Sequence, residues 1–297
     1  MEATNKVFKI KSIAGVLLFG AVMSACTNVY FKKPVPQNGK ALAEIPAGWA
    51  GVYVEEPEQR DETSIYRHCI RLERLSATRL LVTEETRIHV SDMPRLKREL
   101  DEMKSSGKMN EYLLTDRFLM TVEPVNDTTR PGITAEQRIT QIFRENQWYI
   151  LAASAKPTML FDLETSTVAG FDVQEHTGGN SDVIPDSDSL STSSMRLVAL
   201  QKGNGYYLNQ LAKEEGSLWE LYYVVQPSPN ELVLKTSVLK NKERFEKRLK
   251  QYNAITPFAQ SNDGNAYIID PTDAALEQLL ADDELFHVTR MRKIENE

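Results

Sequence analysis

Cysteine occurs only twice in the 297 residues, at Cys26 and Cys69, and histidine four times. Two cysteines cannot staple a small fold, so the body has to hold itself together by burying apolar surface. His68, His89, His176 and His287 are scattered along the chain. None pairs with another at i, i+3 or i+4 on a helix, the simplest way to present two nitrogens to one metal ion, and no metal or cofactor is expected. Nucleophile-elbow (G-x-S-x-G), phosphate-loop (G-x-x-x-x-G-K) and zincin (H-E-x-x-H) patterns are missing too. So is an apolar run of the ~20 residues that a membrane-spanning helix needs. Positive charge is in deficit: Lys plus Arg number 35 against 42 Asp plus Glu, a net charge of −7. An acidic body is repelled by phosphate backbones, which argues against nucleic acid as a partner.

What is present begins at the N-terminus. Lys6, Lys9 and Lys11 precede an apolar stretch, Ile13 to Met23, that is too short to span a bilayer. It ends in Met23-Ser24-Ala25-Cys26. This resembles a bacterial lipobox, in which small residues precede a cysteine that is lipidated and becomes the new first residue. The resemblance implies that residues 1–25 are a lipoprotein signal peptide and that Cys26 carries acyl chains. One chain gives marginal anchoring and each buried CH₂ adds ~0.8 kcal/mol, so two or three chains on Cys26 would suffice. Thr27 follows instead of Asp, which by the sorting rule of enteric bacteria favours the outer membrane. No acidic run like a surface-export signal follows Cys26, which favours the periplasmic side. Without residues 1–25, Lys plus Arg falls from 35 to 32 and Asp plus Glu from 42 to 41, leaving a net charge of about −9. Cys69 then has no partner within the chain.

Residues 26–46, with Pro34, Pro36 and Asn38-Gly39, read as a tether. The body starts near "GWAGVYVEE". A second break falls at Gly178–Ser194, where fourteen of seventeen residues are Gly, Asn, Ser, Asp, Thr or Pro, a composition that cannot bury a core. Elsewhere most segments read as strands: "YRHCIRLERL", "RLLVTEETRIHV", "RFLMTVEP" and "QWYILAAS" before the break, then "MRLVALQ", "YYLNQ", "LWELYYVVQ", "ELVLKTSVL", "NAYIID" and "LFHVTRMRKI". Three short amphipathic helices interrupt them. Leu96, Leu100 and Met103 form one stripe, Phe245, Leu249 and Tyr252 a second, and Leu276, Leu279 and Leu280 a third. Asp92 or Ser91, Asn241, and Asp270 or Thr272 stand in capping positions. The fold expected is α+β and β-rich, with antiparallel sheets and a few short helices. The first two helices each follow a hairpin with an apolar triplet after its turn, Leu80-Leu81-Val82 and Leu232-Val233-Leu234. Either a duplication or the common spacing of amphipathic helices accounts for this. Duplication would make residues 47–180 and 195–297 two related modules joined by a linker at 181–194.

Chemistry-bearing residues are few. In a regular strand Arg67, Cys69 and Arg71 share one face, and two guanidiniums would favour the thiolate, so Cys69 is a candidate reactive thiol. A buried, inert cysteine is the competing and stronger reading. Glu55-Glu56, Glu84-Glu85 and Asp282-Asp283 are adjacent pairs; neighbours on a strand point to opposite faces, so a catalytic dyad would need two carboxylates from different strands. His68 and His89 could meet across a hairpin, but two separate, half-exposed strand histidines are the stronger reading. "PDSDSLSTSS" departs from a calcium loop, with Leu190, Ser191 and Leu197 at the fifth, sixth and twelfth positions. Gly51-Val52-Tyr53 behind Gly48-Trp49 is similar to the opening of lipocalin-type barrels, whose aromatic residue closes one end of a ligand-holding barrel. The two ends of the chain together, "CTNVYFKKPVPQNGKALAEIPAGWAGVYVEE" and "YIIDPTDAALEQLLADDELF", resemble uncharacterised outer-membrane lipoproteins of Bacteroidota, which implies an anchor and a β-rich body.

These features lead to a lipid-anchored envelope protein with a non-enzymatic role, binding a protein or envelope component through an exposed sheet. A carrier of lipid or another hydrophobic ligand in a barrel-like cavity is the alternative, and a hydrolase or thiol enzyme the third. A clickable palmitate fed to expressing cells should label the protein and fail to label a Cys26→Ser variant. Label that persists in the variant, or never appears, would remove the anchor.

Overall fold

Strand propensity dominates the chain, and the computed structural model shows where the strands go. It describes residues 27–56, 64–124, 135–172, 191–212, 218–251, 258–260 and 266–294. The first half holds β1 (Asn28–Phe31), β2 (Lys40–Ala41), β3 (Gly51–Glu56), β4 (Tyr66–Arg74), β5 (Arg79–His89), helix α1 (Met93–Ser105), β6 (Glu111–Leu114), β7 (Phe118–Pro124), β8 (Ala135–Glu145), β9 (Trp148–Asp162) and β10 (Thr167–Asp172). The second holds β11 (Ser191–Lys202), β12 (Gly205–Leu211), β13 (Trp219–Ser228), β14 (Glu231–Leu239), helix α2 (Lys242–Gln251), β15 (Phe258–Gln260), β16 (Ala266–Ile269), helix α3 (Asp273–Ala281) and β17 (Phe286–Lys293). The α+β, β-rich class holds. Cys26, the signal segment, His176 and most of the 181–194 linker lie outside the described residues.

Ten of these strands close on themselves. The antiparallel ring runs β3–β4–β5–β9–β10–β11–β12–β13–β14–β17 and returns to β3, where Arg290 faces Glu56 and Lys293 faces Tyr53. A closed barrel leaves no unpaired edge in the ring, which removes the template for misassociation that open sheets carry. The alternation of side chains then gives every ring strand an inward row. One buried cluster draws on all ten strands: Tyr53, Ile70, Leu80 and Val82, Phe161, Val168, Leu197, Leu208, Val224, Leu232 and Met291. Both apolar triplets noted in the sequence supply inward residues here, Leu80 with Val82 and Leu232 with Leu234. The 3-10 turn Ala47–Trp49 lies across one end of the ring, with Trp49 edge-on to Tyr206 at 5.0 Å and the Tyr53 hydroxyl donating to the Gly48 carbonyl. We call that end the floor.

Two further cores flank the ring. The outer face of β12–β14 is covered by β1, β16, α2 and α3 around Phe31, Phe245, Tyr267 and Leu276. At the other end, α1 and the β6–β8 sheet pack on Ile88, Ile142 and Leu151 through Leu96 and Leu100. That sheet departs from the ring at a break in the β5–β9 register around residues 152–158, where Ser154 Oγ accepts from Thr86 N at 2.7 Å and donates to the Leu151 carbonyl at 2.6 Å. The bulge keeps the backbone bonded while β9 changes partner. The helix stripes follow the sequence at Leu96–Leu100, Phe245–Leu249 and Leu276–Leu280, with Tyr252 outside the described residues. Asn241 Oδ1 accepts from Arg244 N and Thr272 Oγ1 from Ala275 N, whereas Asp92 stands at the N-cap of α1 without a side-chain hydrogen bond.

Two expectations are corrected. The 26–46 segment does not run free as a tether. Val29 and Phe31 are 0% and 1% exposed, β1 pairs in parallel with β16, and Leu239 N donates to the Thr27 carbonyl at 2.9 Å. Apolar residues hidden between polar ones carry it into the body, and Asn209 holds Val35 like a strand neighbour, accepting from its N–H at 2.9 Å and donating to its carbonyl at 2.8 Å. Nor are 47–180 and 195–297 separate modules: β10–β11 and β3–β17 join them edge to edge, and Ser191–Ser194 belong to β11. Their hairpin–helix units also diverge, α1 packing at the end of the barrel away from the floor and α2 on its outer wall. Asn209→Ala leaves both Val35 groups unsatisfied in a buried site, and urea unfolding should report a loss of roughly 1–3 kcal/mol.

Candidate functional site

The floor half of the lumen is apolar, and the half above it is not. On β3, β4 and β5 the inward row passes from Tyr53, Ile70 and Val82 to Glu55, His68 and Glu84. His68 Nδ1 lies 3.0 Å from Glu55 Oε2, and Nε2 lies 3.8 Å from Glu84 Oε2. The second distance is a charge contact, too long for a hydrogen bond, and Nε2 is buried with no hydrogen-bond partner among the described residues. Burial pulls the imidazole towards neutrality, but the two carboxylates outweigh it and raise its pKa to about 9. His68 is therefore an imidazolium at neutral pH, with Nδ1 on Glu55 and Nε2 buried on the side of Glu84. Lys156 stands opposite Glu84 in the β5–β9 register.

Across the ring, β13 turns Glu220 and Tyr222 inward, opposite Gln210 and Leu208 of β12. Burial raises the Glu220 carboxyl above its ordinary range, and burial together with Glu220 raises the Tyr222 phenol. Both sit deep in protein yet keep accessible surface, as does His68. Met195, Leu72, Met159 and Leu234 pack, partly buried, against the apolar cluster of the ring.

The carboxylates that sequence alone left unassigned separate as strand alternation requires. Glu84 faces His68 inside, and Glu85 faces the outer side of the same strand. There Glu85 is buried with Arg87, and the two join Arg71 and Glu145: Arg71 Nε to Glu85 Oε1 is 2.9 Å, Arg71 Nη2 to Glu145 Oε2 is 2.9 Å, and Arg87 Nη2 to Glu145 Oε2 is 2.5 Å. Burial pushes the Glu145 carboxyl up, but Arg71 and Arg87 reverse this and hold it low. Cys69 sits beside the network at 0% exposure. Arg67, Cys69 and Arg71 do share a face, yet burial pushes the thiol up to about 12, with Arg87 lowering it and Glu85 raising it. The thiol is thereby held protonated and shielded. His68 and His89 do not meet: His68 pairs in register with Thr86, while His89 stacks edge-on to Trp148 at 5.0 Å. His287 is exposed on β17.

A second feature lies outside the ring. The β6–β8 sheet packs α1 on one face and presents Leu113, Met120, Ile139 and Phe143 on the other, with Ile139 60% and Phe143 53% exposed. An open groove of about 630 Å³ runs over Phe118, Met120, Ile139 and Phe143 between Arg117 and Arg144. No group of three or more ligating side chains is placed to hold a metal among the described residues. Comparison with protein-family models, with curated proteins and with solved structures finds no match.

Because the folded His68 pKa lies above its unfolded value of 6.5, its contribution to stability is complete below pH 6.5. It is lost as pH rises through about 9. Urea titrations across that window should show a loss of at most ~3 kcal/mol, at 1.36 kcal/mol per pKa unit. A His68→Gln variant should show a flatter profile over the same range.

Proposed function

We propose that this chain is a non-enzymatic binding protein of the cell envelope, held by lipid on Cys26 at the periplasmic side of the outer membrane, with the barrel lumen as its binding site. The closed ring with an apolar floor and an ionic upper wall is the observation that supports it. A filled core would carry apolar side chains throughout; burying Glu55, Glu84, Glu220 and an imidazolium costs several kcal/mol per unpaired charge, so such a wall is more readily kept where it meets water or a ligand. The division suits an amphiphile. Its apolar part would lie over Leu72, Met159 and Leu234, and its polar head would meet the accessible parts of His68, Glu55 and Glu220. This is the carrier reading with a polar head added. Glu55 and Glu84 both attend one imidazolium, an arrangement that compensates charge and does not set an acid against a base.

A second reading, a partner protein docking on the outer sheet, is favoured by exposed Ile139 and Phe143, since apolar patches of this kind mark interaction surfaces. Native mass spectrometry of protein purified from cells separates the two. The lumen reading predicts a co-purifying amphiphile that is lost in a Glu84→Leu/His68→Leu double variant and retained in Ile139→Ser/Phe143→Ser. An empty wild-type lumen on protein that carries acyl mass on Cys26 would contradict the lumen reading and leave the anchor standing.

A further inference from the structure

Among the described residues the body begins one residue after the anchor position. Thr27 is fixed through its carbonyl to Leu239 N at 2.9 Å, and Asn28 stands opposite Val238. Adjacent Cα atoms are 3.8 Å apart, so acyl chains on Cys26 would emerge beside the end of β14 with no slack between bilayer and barrel. The most basic stretch of the chain comes directly after that strand end. Residues 240–250, "KNKERFEKRLK", carry six cationic and two acidic side chains in a protein whose mature net charge is about −9.

The fold sorts these charges. Phe245 and Leu249 of α2 face inward and are fully buried, whereas Lys242, Arg244 and Lys247 are exposed. The acidic groups facing the helix come from the turn after α3. Asp282 takes Arg244 at 2.8 Å and Arg248 at 3.4 Å, and Glu284 lies 4.0 Å from Lys240. Asp283 is engaged by Lys235 and by Arg290, so of this turn's three acids Asp282 and Glu284 act on the helix. Glu246 is bound to the Tyr267 hydroxyl. Six cationic side chains against Glu243, Glu246, Asp282 and Glu284 leave the α2 stretch with a net positive charge beside the proposed anchor position.

We propose that the exposed face of α2 docks on the headgroups of an anionic phospholipid bilayer, fixing the barrel's orientation. This rests on the Cys26 anchor proposed above. An acyl anchor and a basic patch are complementary signals, the first giving hold and the second giving attitude. Each Lys or Arg near an anionic surface shifts such an equilibrium about fivefold. The docked face turns the α2 side of the barrel to the membrane and leaves the floor end, with the β9–β10 turn at Glu164, towards water.

The test uses the full chain as cells process it, reconstituted in vesicles of phosphatidylethanolamine with phosphatidylglycerol. Nitroxide labels are placed at Glu243→Cys on α2 or at Glu164→Cys on the distal turn; acylation occupies Cys26 and burial shields Cys69 from label. Collision with a water-soluble relaxant should be suppressed at 243 and not at 164. Pure phosphatidylcholine should relieve the suppression, as should Lys247→Glu, alone or with Lys242→Glu, by about fivefold or more per residue. Equal access at 243 and 164 in acylated, vesicle-bound protein would overturn the docking and spare the anchor. Protein without acyl mass on Cys26 would overturn both.

Discussion

The pairing of β17 with β3 is the constraint on which the rest depends. Both strands are short, and each would otherwise be the edge of an open sheet. Joined through the Arg290–Glu56 to Lys293–Tyr53 register, they convert a long antiparallel ribbon into a ring. A ring needs an inside, and the inside sets the division between the apolar floor and the ionic wall. Trp49 has a role only because an end exists for it to close. The same joint ties the last strand of the chain to the first strand of the barrel, so residues from near both termini support one lumen.

The ring also separates two charge systems that touch the same strands. Glu84 and Glu85 are neighbours in sequence, yet one faces His68 across the lumen wall and the other faces Arg71 and Arg87 outside. The outer network is saturated with hydrogen bonds, as buried charge must be if it is not to destabilise the fold. The inner one is not: His68 Nε2–H lacks an acceptor and Glu220 sits with its carboxyl raised by burial. Saturated groups hold structure, and the inward row, where His68, Glu55 and Glu220 keep partial exposure, is the side on which the proposed ligand would add partners. That contrast, between sets of residues one position apart, separates scaffold from site in this protein.

Much of the local structure is legible in the sequence. Alternation in "YRHCIRLERL" and "ELVLKTSVL", the stripe Phe245–Leu249 behind Asn241, and the Thr272 cap all depend on neighbours in sequence, and all appear where those patterns place them. The illegible part depends on partners far away. "NVYF" looks like tether because Lys32-Lys33 and two prolines come after it, and only β16, more than two hundred residues later, makes it a core strand. "AEQRITQIFRE" does not stand out as a strand because its outward face is polar apart from Ile139 and Phe143. The meeting of Glu55 with Glu84 at His68 is foreseeable only as two carboxylates from different strands, since alternation gives a face but not a register between strands. Ring closure leaves little local mark; the one pointer is the opening Gly51-x-Tyr53, with Tyr in the aromatic's place, and Tyr53 is buried in the core of the ring.

Hydrogen exchange under native conditions, read by mass spectrometry across a shallow urea series, tests ring closure most directly. A single closed sheet requires β3, β4 and β5 to open together with β14 and β17, so peptides covering 66–74 and 231–239 should exchange with the same free energy and the same urea dependence. If residues 47–180 open while 195–297 stay protected, or the reverse, the barrel is two separable bodies and neither the lumen nor the site built on its wall exists.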